Sequence, residues 1–403
     1  WARGAGRFMP VPSVRIRFDD SVRRRLGSDG SRSGLAGATA SCCAVTCLSL
    51  HRPELEPAGS PVHACPITAR PLTARPYHGA MRRIVRRTIA AIELSRLPVA
   101  FGAVANVWLM ILLCCADARL GELPVASQPL WRALGAGGLV AVGFLAFGAA
   151  LNDFLDAKHD RAFAPDRPLP AGNLRPRRAA QIAAISLLGG LFGSLAFGTT
   201  GAILAMSLAA VILVYDAFAK HVPALGIVLA GLATALSMAV PCAETTTLLP
   251  IWLAMSQTMG VGALAYVLGE KRPKLTGRSA LIGATGWIFW TAVLLALELE
   301  RNDGRVLNTW TEGGAIAIPA ATVLVGAAVG YWKLRTLRGS RAGEKILRYG
   351  SLWKSLVASA WLVAAGMHLE AAAIAAIAAV AFGTVAILRE AGPQLAEPVS
   401  WRS

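Results

Sequence analysis

From Leu97 to Leu388 the chain repeats one pattern: about twenty apolar residues, then a short polar or proline-bearing break. Candidate spans fall at 97–117, 132–155, 179–198, 200–218, 223–241, 250–269, 279–298, 313–332, 351–367 and 369–388. A hydrocarbon core about 30 Å thick takes roughly 20 helical residues to cross, at about 1.5 Å per residue. The pattern therefore predicts an all-α polytopic membrane protein, a bundle of about nine transmembrane helices. The last two stretches are short and alanine-rich, which leaves the number at nine or ten.

Residues 1–80 do not share the pattern. They are rich in Arg, Pro, Ser and Gly and show no sustained helical period. The expectation is a disordered extension, or an upstream mis-start with translation beginning near Met81, just before the MRRIVRR run. A cleaved, Arg-rich targeting peptide is the rival, against which Asp19, Asp20, Glu54 and Glu56 count. N-terminal sequencing of the native protein separates these. Residues 81–403 then form the membrane domain.

Charge changes the picture by giving it an orientation. The chain carries a formal +17, yet 55% of its residues are apolar. If alternate loops share a side, one side collects Arg82, Arg83, Arg86, Arg87 and Arg96. It also takes six basic residues from Lys158 to Arg178, Lys220, four from Lys271 to Arg278 and seven from Lys333 to Lys354. The other side holds Arg119, Arg132, Arg301 and Arg305. The positive-inside rule makes the basic side cytoplasmic, as in a multi-pass protein of a cell inner membrane, with anionic lipids as neighbours. Nucleic acid is not an expected partner, because no basic segment belongs to a recognisable nucleic-acid module. The seven cysteines form no framework: Cys114, Cys115 and Cys242 read as small apolar residues of the spans. Cys42, Cys43, Cys47 and Cys65 match no common zinc spacing.

On that cytoplasmic side lies LNDFLDAKHDRAFAPDRPLPAG, from Leu151 to Gly172. At about 100° per residue, and with Asn152 at zero, Asp156 falls near 40°, Asp160 near 80° and Asp153 near 100°. Four polar groups thus share one arc at the end of an apolar helix. Mg²⁺ favours oxygen ligands, keeps several waters, and is commonly held by one or two carboxylates together with substrate phosphates. Such a cluster suits a magnesium–diphosphate headgroup; a solvated helix end is the plainer reading. Pro165, Pro168 and Pro170 then stop the helix and hold Arg167 on a stiff loop, where its guanidinium can grip phosphate.

These residues carry a resemblance. Asn152-Asp153-Phe-Leu-Asp156-Ala-Lys-His-Asp160, with Pro165-Asp166-Arg167-Pro168-Leu-Pro170-Ala-Gly172, resembles the first motif of the UbiA family of intramembrane prenyltransferases. Glu93-Leu-Ser95-Arg96-Leu-Pro98 is similar to that family's approach to its first helix. Tyr215-Asp216-Ala-Phe-Ala-Lys220-His221, followed by Gly226, is similar to its Tyr…Lys element, in a form that resembles the EboC-like branch. The resemblance implies helices around a central cavity and Mg²⁺-dependent transfer of a prenyl group from its diphosphate to a lipophilic, often aromatic, acceptor. It further implies Asp153, Asp156 and Asp160 as metal ligands, with Asp153, Asp156 and Tyr215 in the catalytic group. Asn152, Arg167, Lys220 and Arg272 would bind the diphosphate. The family's second acidic motif is reduced here to Glu270, followed by Lys271 and Arg272. Either Glu270 serves one ion, or the two cations neutralise the diphosphate in its place.

Two readings of other classes stand beside the enzyme. A catalytically silent scaffold in a lipid pathway follows from the reduced second motif. An ion-coupled transporter would place its acids near mid-span, whereas these sit at a helix mouth. Trp108, Trp252, Trp287, Trp290 and Trp353 read as interfacial or packing residues, and Gly189, Gly190 and Gly193 as close helix packing.

Overall fold

The computed structural model describes residues 97–163, 167, 169–172, 174–270, 273–306 and 314–396, all within one compact unit, Thr73–Ser403. The expectations for residues 1–80, Met81, Glu93–Arg96, the four N-terminal cysteines, Lys271 and Arg272 lie outside the described residues, as do Pro165, Asp166 and Pro168.

Ten α-helices and no strand occur among the described residues. They are α1 (Leu97–Ala116), α2 (Leu130–Phe163), α3 (Pro176–Ser194), α4 (Gly198–Ala217) and α5 (Pro223–Ala239). Then come α6 (Leu249–Leu268), α7 (Gly277–Arg301), α8 (Ala317–Leu334), α9 (Ser340–Ala364) and α10 (His368–Ala396). Local chemistry starts several of them. Proline occupies the first turn of α3, α5 and α6, where a missing N–H costs nothing, and the Thr276 side chain accepts from Ser279 N to cap α7.

Five helical stretches are long and apolar enough to cross a membrane by length and composition: Leu130–Ala162, Pro176–Ala217, Leu249–Leu268, Gly277–Arg301 and Ala317–Leu334. The second of these contains both α3 and α4, joined by a 3-10 turn at Leu195–Phe197 and a reversal at Gly198, whose φ is 77°. Ala100–Ala116, Pro223–Ala239 and His368–Val380 are shorter apolar helices. The strongest departure from the apolar pattern is α9, which begins at Ser340 rather than near 351. Its first half carries Lys345 and Arg348, so hydropathy registers only the second half, while backbone hydrogen bonding continues through both.

Burial divides as lipid demands. α1 is central, with Val107, Leu109, Met110 and Ile111 each no more than 1% exposed. Large apolar side chains instead face outward on α3 (Ile185, Leu188, Phe192) and α7 (Leu281, Ile288, Phe289). α2 and α3 form the most extensive helix pair. They approach so closely that a Cβ on Gly143 would stand 2.6 Å from Gly190 N and 2.8 Å from Ser186 O. Helix association in a membrane relies on such small-residue contact and on interhelical hydrogen bonds. Tryptophans supply the latter: Trp108 Nε1 donates to Leu134 O (2.8 Å), Trp252 to Thr291 Oγ1 (3.0 Å), Trp287 to Ser256 Oγ (2.8 Å) and Trp353 to Thr322 O (2.8 Å).

One expectation is corrected at the end of the bundle where α1 and α5 finish. Cys114 and Cys242 are not merely small apolar residues but form a disulfide across 128 positions of sequence. The two thiols meet because α1 and the turn after α5 close against each other in the tertiary fold, which no local spacing announces. Close by, Asp117 pairs with Arg119 (3.0 Å) and accepts from Thr246 Oγ1 (2.9 Å). Glu298 accepts from Leu248 N (2.6 Å) at the start of α6 and from Asn302 Nδ2 (3.2 Å).

A candidate diphosphate and metal site

The opposite end is built on the overlong α2. Its 34 residues extend about 51 Å at roughly 1.5 Å per residue, well beyond a core about 30 Å thick. Counted from Leu130, about twenty residues exhaust the core near Ala150, so Asn152, Asp153, Asp156 and Asp160 emerge at its edge. Their charge therefore escapes most of the mid-bilayer penalty.

Two cations meet these carboxylates from different parts of the fold. α4 ends at Ala217, and a 3-10 turn over Ala219–His221 brings Lys220 back against α2. Lys220 Nζ donates to Asp156 Oδ1 (2.7 Å) and to Asn152 Oδ1 (3.2 Å). From the loop after α2, Arg167 Nη1 donates to Asp160 Oδ2 (2.7 Å) and stands 3.8 Å from Asp153 Oδ1. Asn152 Nδ2 in turn donates to Asp153 Oδ1 (3.3 Å). Thus Asn152, Asp153, Asp156, Asp160, Arg167 and Lys220 come together.

The electrostatics follow from partial burial. Asp153 and Asp160 are buried, whereas the Arg167 side chain stays 43% exposed. Burial works against the charge on Arg167. Its hydrogen bond to Asp160 and the field of Asp160, Asp153 and Asp156 outweigh that and hold its pKa above the ordinary arginine value. The result is an open mouth with paired charge, in which an incoming diphosphate can exchange for the carboxylates on Lys220 and Arg167.

The donor set fits Mg²⁺: three carboxylates and an amide oxygen, all hard oxygen ligands. Among the described residues no group of three or more His, Cys, Asp or Glu side chains closes into a metal cage. Mg²⁺ does not require one, since it shares its coordination with waters and substrate phosphates.

Other anticipated residues are placed differently. Tyr215 is half-buried on the last turns of α4. Glu270 stands exposed just past α6 with φ at 50°, outside the ion-paired cluster. Arg272 lies outside the described residues.

Two residues that sequence reasoning passed over support the mouth. Tyr266 on α6 donates its hydroxyl to Lys220 O (2.9 Å), tying α6 to the lysine turn. Asp216 is 3% exposed, with Oδ2 3.8 Å from where a Gly148 Cβ would stand, one turn below Asn152 on α2. A signal for Asp216 was present: a carboxylate four residues before Lys220 on an otherwise apolar helix. Tyr266 had none beyond its proximity to Glu270.

A model described as the UbiA prenyltransferase family matches residues 123–355 of the chain. Among curated proteins none matches it. Among solved structures, one concerned with digeranylgeranylglyceryl phosphate synthase is 18% identical, with a TM-score of 0.48 over 69% of this chain and 98% of that one. A UbiA homologue from Archaeoglobus fulgidus bound to DMAPP and Mg²⁺ is 15% identical, with a TM-score of 0.46 over 68% of this chain and 99% of that one. The same homologue bound to GPP and Mg²⁺ gives 14% identity and a TM-score of 0.44, over 69% and 99% of the two chains.

Proposed function

We propose that this chain, which belongs to the UbiA prenyltransferase family, transfers a prenyl group from a prenyl diphosphate to a lipophilic acceptor within the membrane. The observation that carries the reading is the convergence of Asn152, Asp156 and Lys220 with Asp153, Asp160 and Arg167 at the end of α2. The positive-inside count supports a cytoplasmic face of a cell inner membrane for this mouth.

In the proposed mechanism the allylic C–O bond breaks and its electron pair leaves on the diphosphate. The acceptor's nucleophilic atom bonds to the allylic carbon and loses its proton. Asp153, Asp156 and Asp160 would hold Mg²⁺ or its water shell, and Asn152 orients the carboxylates through its bond to Asp153. Mg²⁺, when bound, supplies positive charge that stabilises the departing diphosphate. Lys220 and Arg167 bind diphosphate oxygens as preorganised donors; Arg272 is read as a further cation for the diphosphate, and Glu270 as at most an auxiliary carboxylate for a second ion. Tyr215, half-buried on the last turns of α4, would face the reactive end of the prenyl chain or hydrogen-bond the diphosphate. The surrounding apolar helices keep water from the developing allylic cation.

A binding-only scaffold is the second reading, favoured by the exposed position of Glu270 outside the cluster. Purified protein in lipid nanodiscs, given radiolabelled geranylgeranyl diphosphate, Mg²⁺ and membrane extract, separates the two. Label appearing in a lipid product, and vanishing with Asp153→Ala, supports transfer. Saturable diphosphate binding without turnover supports the scaffold.

A further inference from the structure

Transfer releases a proton from the acceptor's nucleophile, and Asp153, Asp156 and Asp160 are committed to the metal. Another carboxylate stands deeper, on the seam between α2 and α4. Asp216 is the only charged residue of α4, and it shares one buried face of that helix with Gly201, Ala205 and Leu208. At 3% exposed it is shielded from both water and lipid, on the last turn of a stretch apolar enough to cross a membrane. The C-terminal end of a helix carries the negative pole of its dipole, which disfavours a carboxylate. Ionisable residues inside a membrane bundle are costly and mark function.

The depth of Asp216 follows from the register of the two helices. Gly148, Asn152 and Asp156 recur every four residues and so lie along one stripe of α2. Lys220 Nζ reaches the outer two rungs, donating to Asn152 Oδ1 and Asp156 Oδ1. Asp216 meets the inner one, with Oδ2 3.8 Å from where a Cβ on Gly148 would stand. That Cβ would also crowd Ile212 Cγ2 (3.1 Å), so glycine keeps the rung clear of an α2 side chain. One turn is about 5.4 Å, which sets the Asp216 carboxylate that much further into the bundle than the groups receiving the diphosphate.

A prenyl diphosphate enters with its headgroup at the mouth and its chain toward the hydrocarbon. Its allylic carbon is a single C–O bond from the phosphate. The level one turn inward of the phosphate ligands is therefore where the allylic carbon meets its nucleophile.

We propose that Asp216 is the general base that takes the acceptor's proton. This role rests on the transfer reading above, and it narrows the acceptor to one whose nucleophilic atom bears a proton, a hydroxyl or an aromatic C–H. The allylic C–O bond breaks and its electron pair leaves on the diphosphate. The nucleophile bonds to the allylic carbon, and its proton passes to a carboxylate oxygen of Asp216. Asp216 then gives that proton to a diphosphate oxygen one rung above and is ready for the next turnover.

The test uses the full chain in lipid nanodiscs with labelled geranylgeranyl diphosphate, Mg²⁺ and membrane extract as the source of acceptor. Asp216→Asn is expected to lower kcat for transfer by about 100-fold or more, the usual range for losing a general base. Its KM for the diphosphate, and its Mg²⁺-dependent binding of inorganic pyrophosphate, stay within about threefold of the parent. In Asp216→Ala, added formate supplies a small carboxylate in the vacated space and restores transfer by about tenfold, with no effect on the parent chain. Formate rescue is a signature that a merely structural role would not give. Undiminished transfer by Asp216→Asn, loss of its pyrophosphate affinity in step with transfer, or no recovery of Asp216→Ala in formate each overturns the assignment. Absence of labelled lipid with the parent chain overturns the transfer reading itself, and this role with it.

Discussion

At one end of the bundle, polar groups answer one another through side-chain ion pairs that remain partly open: Lys220 with Asp156, and Arg167 with Asp160 and Asp153. At the other end, Glu298 caps the Leu248 N–H, Arg301 donates to Thr245 O (2.9 Å), Asn302 donates to Thr246 O (2.7 Å), and a disulfide joins Cys114 to Cys242. The first arrangement can release its carboxylates and ammonium to a ligand without leaving backbone unsatisfied. The second is anchored differently: beside the Asp117–Arg119 pair, its Glu298, Arg301 and Asn302 side chains are directed at backbone groups and a covalent bond ties α1 to the turn after α5. Charged residues thus do different work at the two ends: exchangeable pairs suit binding, and backbone-directed ones fix the helix ends.

That contrast can be broken most severely at the open end. Asp156→Asn removes both a metal ligand and the Lys220 partner, and transfer of labelled prenyl chain is expected to fall by about 10²–10³-fold, the range for losing one key electrostatic group. The thermal midpoint should change little, since the pair is partly exposed. At the closed end the signs reverse. Cys114→Ser is expected to cost about 2–4 kcal/mol in denaturant unfolding, as for other disulfides closing long loops, with the Mg²⁺ requirement of transfer unaltered.

Smaller effects sharpen the boundary between the two ends. Tyr266→Phe deletes the hydroxyl bond to Lys220 O, worth about 1 kcal/mol. It should therefore raise the KM for prenyl diphosphate roughly fivefold, read in steady-state kinetics, with kcat nearly constant. Glu270→Gln is expected to alter transfer by less than about twofold, because an exposed carboxylate outside the cluster has little electrostatic leverage. A loss comparable to that of Asp156→Asn would bring the end of α6 into the metal site.

Local regularity decided what could be read from the sequence. The arc of Asn152, Asp153, Asp156 and Asp160 follows from helical period alone, and the apolar repeat gives the helices of the bundle. Arg167 was legible because prolines fix its loop. Lys220 was placed only by family resemblance, since it reaches Asn152 across 68 residues of sequence. Cys114 with Cys242 and Tyr266 with Lys220 both depend on which helices become neighbours. Hydropathy does not encode that choice; side-chain complementarity between packed helices makes it. The early start of α9 was hidden for a different reason, as its polar first half satisfies its backbone by helical hydrogen bonding and gives no apolar signal.

The central claim is that the end of α2 is a magnesium-dependent diphosphate site. Its most direct test is calorimetric binding of inorganic pyrophosphate to the purified chain with and without Mg²⁺, beside the Asp153→Asn/Asp156→Asn double variant. The account predicts saturable binding by the parent chain only when Mg²⁺ is present, and none by the folded double variant. Equal binding without Mg²⁺, or undiminished Mg²⁺-dependent binding by the double variant, would contradict it.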